Sequence, residues 1–168
     1  MEEKNQVIHI PIYKYEEDMD TKFSRDKKRE IRELLTNHNQ IRSQDEFYEI
    51  EDNLRKACEK GDLELIEIYL NETIENETND LTFKINKTNK TASLFKINNE
   101  QIEEVIIPRT VKHESYEYLI TSICSIGVYN SNIKTIKFSE DSSVSTIYPN
   151  SFLGSTIEEI NFPNSLKE

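Results

Sequence analysis

One phrase recurs three times in the second half of this chain, and it constrains the fold more than any other feature. It reads I-E-E-V-I-I-P at 102–108, I-K-T-I-K-F-S at 133–139 and I-E-E-I-N-F-P at 157–163. Apolar residues hold its first, fourth and sixth positions. Ile133 and Ile157 lie 24 residues apart, whereas Ile102 and Ile133 lie 31 apart, so the first unit carries a seven-residue insertion. A second phrase keeps the same step: I-T-S-I at 120–123 maps onto V-S-T-I at 144–147, and Val128 onto Phe152. A period in this range predicts stacked units, none of which buries its apolar face without a neighbour. The chain stops at Leu166-Lys167-Glu168, inside the third unit. The expectation is a truncated chain, or an open last repeat prone to end-to-end self-association.

Upstream of the repeats, residues 81–97 switch to period two. Leu81, Phe83 and Ile85 alternate with Thr82 and Lys84, and Ala92 and Leu94 mirror them across an Asn-rich turn. This predicts a β-hairpin leading into the stack and covering its first edge. The insertion falls around Lys112-His113-Glu114-Ser115-Tyr116 and predicts a small protruding hairpin. Lys112, His113, Glu114, Tyr116 and Tyr118 are the candidate recognition surface, because insertions in repeat proteins carry binding residues and tyrosine joins apolar area to a polar tip.

The first half has helical periodicity. Ile31, Leu34 and Leu35 form a narrow stripe within 24–40. Phe47, Ile50, Leu54, Ala57 and Cys58 form a clearer one within 43–60, where Ser43 and Glu46 have capping-box spacing. Gly61 supplies a left-handed helix end, and Asp62 caps a further helix over 63–70. So short a connection makes the two helices an antiparallel hairpin. Residues 1–22 read as an arm, 23–72 as the helical segment, 73–80 as a polar linker and 81–168 as the β-rich segment.

Charge follows this division. Residues 1–80 carry 12 basic against 22 acidic side chains, and the rest is near balance at 9 against 10. A formal net charge of −11 disfavours nucleic acid and anionic lipid as partners. No apolar run reaches the length of a membrane span, so no membrane insertion is expected. With three glycines in the chain, Asn and Asp are expected at many turn positions.

No constellation for chemistry stands out. Cys58 and Cys124 read as buried free thiols, and His9, His38 and His113 show no spacing that ties them to either. Metal-ligand spacing and a glycine-rich phosphate loop are both missing, so no metal and no cofactor is expected. Glu103–Glu104 and Glu158–Glu159 are paired carboxylates at equivalent repeat positions, which explains them without catalysis. Asn71, Asn76, Asn86 and Asn89 each open an N-x-Thr triplet and are candidate N-glycosylation sites.

Two resemblances follow. The run from Leu54 to Leu70, with Ala57-Cys58, Gly61, Leu65-Ile66 and Tyr69-Leu70, resembles the helical part of an ankyrin repeat. Its usual Thr-Pro-Leu-His opening and its Gly-rich finger are missing, so it is a degenerate copy. The pattern I-x-x-I-x-[IF]-P followed by V-x-x-I-x-x-x-x-F resembles the BspA-like leucine-rich repeat family of protists and bacteria, over about 100–168. Together they imply an α+β chain: an ankyrin-like helical hairpin, then a short leucine-rich-repeat solenoid. The implied function is non-catalytic protein–protein interaction, as a surface antigen or adhesion protein or as an intracellular scaffold. The start of the chain shows no secretory signal, which favours the cytoplasm; the resemblance favours the cell surface. The partner is a protein.

Overall fold

The structure, a computed structural model, describes residues 23–37, 44–124 and 132–167. The expected arm, the Ser43 cap, His9, His38 and Val128 lie outside them. The chain is a mixed α/β protein that divides into two units, Met1–Asn71 and Glu72–Glu168.

The first unit holds helices α1 (Arg25–Asn37), α2 (Gln44–Lys60) and α3 (Leu63–Leu70). Ser24 caps α1 by accepting the Lys27 N–H on its Oγ at 3.1 Å. Of the stripe read on α1, Ile31 and Leu35 are fully buried and Leu34 is half-buried. On α2 the buried residues are Ile50, Leu54, Ala57 and Cys58. The join between α2 and α3 is decided by two residues. Gly61 adopts φ +67, with its N–H on the Cys58 carbonyl and the Asp62 N–H on the Ala57 carbonyl, both 3.1 Å. That pair of bonds is a Schellman end, which needs a residue without Cβ strain at this φ. Asp62 then accepts the Leu65 N–H at 3.1 Å and starts α3. Leu65, Ile66 and Tyr69 are buried, and α3 packs against both α1 and α2.

Among the described residues, the second unit holds nine strands in two sheets. The larger has the order β1 (Glu72–Glu75), β2 (Leu81–Asn86), β3 (Thr91–Ile97), β6 (Tyr116–Ile123), β5 (Thr110–His113), with β8 (Thr146–Ile147) also on β6. The smaller is parallel throughout: β4 (Glu104–Ile107), β7 (Thr135–Phe138), β9 (Glu159–Ile160).

The repeated phrase pairs with itself. Val105 lies opposite Ile136, and Ile136 opposite Ile160, so the lateral steps are the sequence steps. The second phrase does the same, with Ile123 opposite Ile147. Backbone bonds carry the equivalence further. The Glu103 carbonyl accepts the N–H groups of Lys134 and Thr135 at 2.7 and 3.1 Å. One step on, the Lys134 carbonyl accepts those of Glu158 and Glu159 at 2.8 and 3.0 Å. Apolar side chains from both sheets form one core, including Phe83, Leu94, Val105, Ile107, Ile123, Ile133, Ile136 and Val144, each almost fully withdrawn from water. At about 1.5–3 kcal/mol per large apolar side chain, this burial is what opposes the entropy of ordering the strands.

One expectation needs correction. Residues 73–80, read as a linker, hold most of β1 and the turn after it. β1 pairs antiparallel with β2, and Ile74 enters the core. The 81–97 hairpin forms as read, as β2 and β3 paired antiparallel. β3 runs parallel to β6, on the sheet opposite β4, with Leu94 beside Ile123. The turn expectation holds in part: Asn79 and Asn150 have positive φ, but so do Lys90 and Glu114.

Candidate functional site

The seven-residue insertion is a β-hairpin. β5 and β6 pair antiparallel from Thr110↔Leu119 to His113↔Tyr116, leaving Glu114 and Ser115 as the turn. Glu114 takes φ +55 to close it. Lys112, Glu114, Ser115, Tyr116 and Glu117 are exposed, and Tyr116 is 54% accessible. Tyr118 does not belong with them. It is 1% accessible, because its side chain enters the core that Val111, its partner across the hairpin, also enters.

A second loop tip meets this one. β3 lies parallel to β6, and the Leu119 N–H donates to the Lys90 carbonyl at 2.9 Å. This places the Lys90 ammonium over the Tyr116 ring, 3.7 Å from its centroid, and 5.5 Å from that of Tyr118. A cation at that distance is held by the negative face of the ring. Glu72 ties the tips from beneath. Its Oε2 takes Lys87 Nζ at 2.8 Å, and its Oε1 stands 3.5 Å from His113 Nε2. The latter is long for a hydrogen bond, and His113 Nε2 is shielded from water without a well-formed partner. The hydrogen bond and charge of Glu72 push the Lys87 ammonium above its ordinary pKa.

The surface is therefore polar and aromatic. Lys87, Lys90 and Glu72 were not legible as parts of it, since they lie in a separate hairpin and at the end of the segment read as helical. The run N-K-T-N-K at 86–90 marked a turn and two acceptor triplets.

The acceptor triplets differ in setting. Asn76 Oδ1 accepts the Leu81 N–H at 3.1 Å and shapes the turn after β1. Asn86 Oδ1 accepts the N–H groups of Thr88 and Asn89, both at 3.0 Å. Asn71 follows the end of α3. Asn89 is exposed at the β2–β3 turn.

Cys58 and Cys124 form no disulfide and are fully buried, and burial pushes the Cys124 thiol up to about 12. A thiol so withdrawn is not a nucleophile at neutral pH. Among the described residues no group of three His, Cys, Asp or Glu side chains converges to hold a metal ion. Among the same residues no helix is long and apolar enough to cross a membrane.

The chain matches no protein-family model. It matches no curated protein either. A solved structure that aligns with it is a leucine rich cell surface protein from Faecalibacterium prausnitzii A2-165. The alignment has 18% sequence identity and a TM-score of 0.34, over 53% of this chain and 32% of that one. This chain thus spans about a third of that protein's length.

Proposed function

We propose that this chain is a non-catalytic protein-interaction module of leucine-rich-repeat type: an ankyrin-like helical hairpin followed by a short solenoid. The observation that supports it is the lateral pairing of the repeated phrase with itself on both sheets, at the steps present in the sequence. Such a stack is a rigid support for loops, and the loops it carries are recognition elements. The hairpin tip at Lys112, His113, Glu114 and Tyr116, braced by Lys90 and Glu72, is the binding surface in this reading.

Two measurements test it. Amide exchange protects Ile133–Phe138 and Ile157–Ile160 together if the repeats stack; free exchange there with protection in α2 and α3 overturns the stack. A photo-crosslinker placed at position 116 captures a defined protein partner from source cells. Equal capture from the exposed helical position Glu30 overturns the surface assignment.

Display at a cell surface is favoured by the exposed acceptor triplet at Asn89. Protease shaving of intact cells, with a glycosidase mobility test, decides between display and an intracellular scaffold.

A further inference from the structure

The four acceptor triplets are not equivalent in the folded chain. Asn71, Asn76 and Asn86 are half-buried, and Asn89 alone is exposed. Two of the others commit their carboxamide oxygens to turns. Asn76 Oδ1 accepts the Leu81 N–H at 3.1 Å and the Thr78 hydroxyl at 3.3 Å. Asn86 Oδ1 accepts the N–H groups of Thr88 and Asn89, both at 3.0 Å. Asn71 is fixed at the end of α3, where its N–H donates to the Ile68 carbonyl at 3.1 Å. Among the described residues no hydrogen bond engages the Asn89 carboxamide.

The turn that holds Asn89 is also the one that brings Lys90 to the hairpin tip. Lys90 is the next residue, with φ +56. Its carbonyl accepts the Leu119 N–H at 2.9 Å, and its ammonium stands 3.7 Å from the centroid of the Tyr116 ring. Neighbouring Cα atoms lie about 3.8 Å apart, so a group carried by Asn89 starts one residue from the aromatic face.

We propose that Asn89 is a site of N-glycosylation and that its glycan covers the exposed face of Tyr116. In the transfer, Asn89 Nδ2 bonds to the anomeric carbon of an oligosaccharide carried by a polyprenyl diphosphate. The bond from that carbon to the phosphate breaks, the diphosphate leaves, and the amide proton passes to a base of the transferase. A glycan is bulky and polar and belongs at the surface, and at Asn89 it displaces no protein hydrogen bond. At Asn76 or Asn86 it would start from a half-buried side chain that shapes its own turn. The glycan gates the tip: copies that carry it present a shielded Tyr116, and copies that lack it present the open ring. The consequence for binding rests on the reading of the hairpin tip as the recognition surface.

The test uses the full chain purified from its own cells. Glycopeptide mass spectrometry is expected to find sugar on Asn89, at higher occupancy than on Asn71, Asn76 or Asn86. Thr91→Ala breaks the triplet, leaves Asn89 in place and is expected to remove that sugar. An unmodified Asn89, or higher occupancy at another of the four, overturns the inference, as does sugar that persists in Thr91→Ala. Nitration by tetranitromethane, read at Tyr116, is expected to be severalfold slower in the glycosylated chain than after glycosidase treatment. Tyr118, 1% accessible, stays unreacted in both forms and reports an intact fold. Equal rates at Tyr116 overturn the shielding and the inference with it. Partner capture through position 116 in the Asn89→Gln chain separates the two readings. No capture there overturns the recognition surface, whereas occupancy and nitration decide the glycan without a partner.

Discussion

Ile136 stands beside Val105 as its partner across a parallel ladder, although 31 residues separate them in the chain. Ile136 is fully buried, and Val105 nearly so. The distance in sequence is the distance between repeated phrases, so one substitution reads the whole arrangement. Ile136→Ala removes a methyl-rich side chain from between two neighbouring strands and costs about 2–5 kcal/mol. Ile160→Ala, at a position only partly buried, costs distinctly less. Denaturant unfolding of the two variants checks the order; equal losses contradict the placement of β9 at an edge.

The join between α2 and α3 depends on Gly61. A Cβ built there meets the Phe23 ring at 2.9 Å and the Lys27 side chain at 2.9 Å, at φ +67. Gly61→Ala is expected to cost about 1–2 kcal/mol from the left-handed backbone alone, with more from the Phe23 contact. Asp62→Ala removes the cap of the next helix and costs about 1 kcal/mol. Helical ellipticity followed through denaturation measures both.

Arg109 stands 3.2 Å from Asp141 and joins the first repeat to the second. The Arg109 hydrogen bond, helped by its charge, holds the Asp141 carboxyl below its ordinary value of 3.8. A depressed folded value means that the contribution is present above pH 3.8 and lost as pH falls through the lower folded value. The pair is exposed, so the stability effect is small. Arg109→Gln is expected to raise the Asp141 carboxyl toward its ordinary value, read by NMR titration of its side-chain carbon. An unchanged titration contradicts the pairing.

Cys124 gives the opposite limb of the pH profile. Burial raises its thiol from 9.0 to about 12, against a smaller opposing effect of Lys84. Above pH 9 the unfolded chain releases this proton and the folded chain keeps it, so folded stability falls as pH rises from 9 toward 12. At pH 8 neither cysteine is expected to react with iodoacetamide in the folded protein, and both react in denaturant. Fast labelling of the native chain contradicts the burial.

Some of this was legible in the residues. A stacked parallel sheet pairs equivalent positions, so the 24- and 31-residue steps are the lateral register itself, and Val105, Ile136 and Ile160 could be aligned from the chain alone. The helix junction was legible for a similar reason, since the bonds around Gly61 and Asp62 close within a few residues. The insertion was legible as a hairpin by its length.

What required the tertiary structure is what distant segments impose on one another. Glu72–Glu75 contains one aliphatic residue, Ile74, too little for a period-two signal; its strand state comes from the free edge of β2. Tyr116 and Tyr118 look alike in sequence, and only the core against β6 makes one exposed and the other buried. Lys90 reaches Tyr116 because β3 runs parallel to β6, a pairing between unlike sequences that no repeat foretells. The sequence by itself determined the periodic register and the local turns, because both depend on near neighbours or on equivalent positions. The meeting of the loop tips was decided by packing, because the free energy that places them belongs to contacts between segments with no shared pattern.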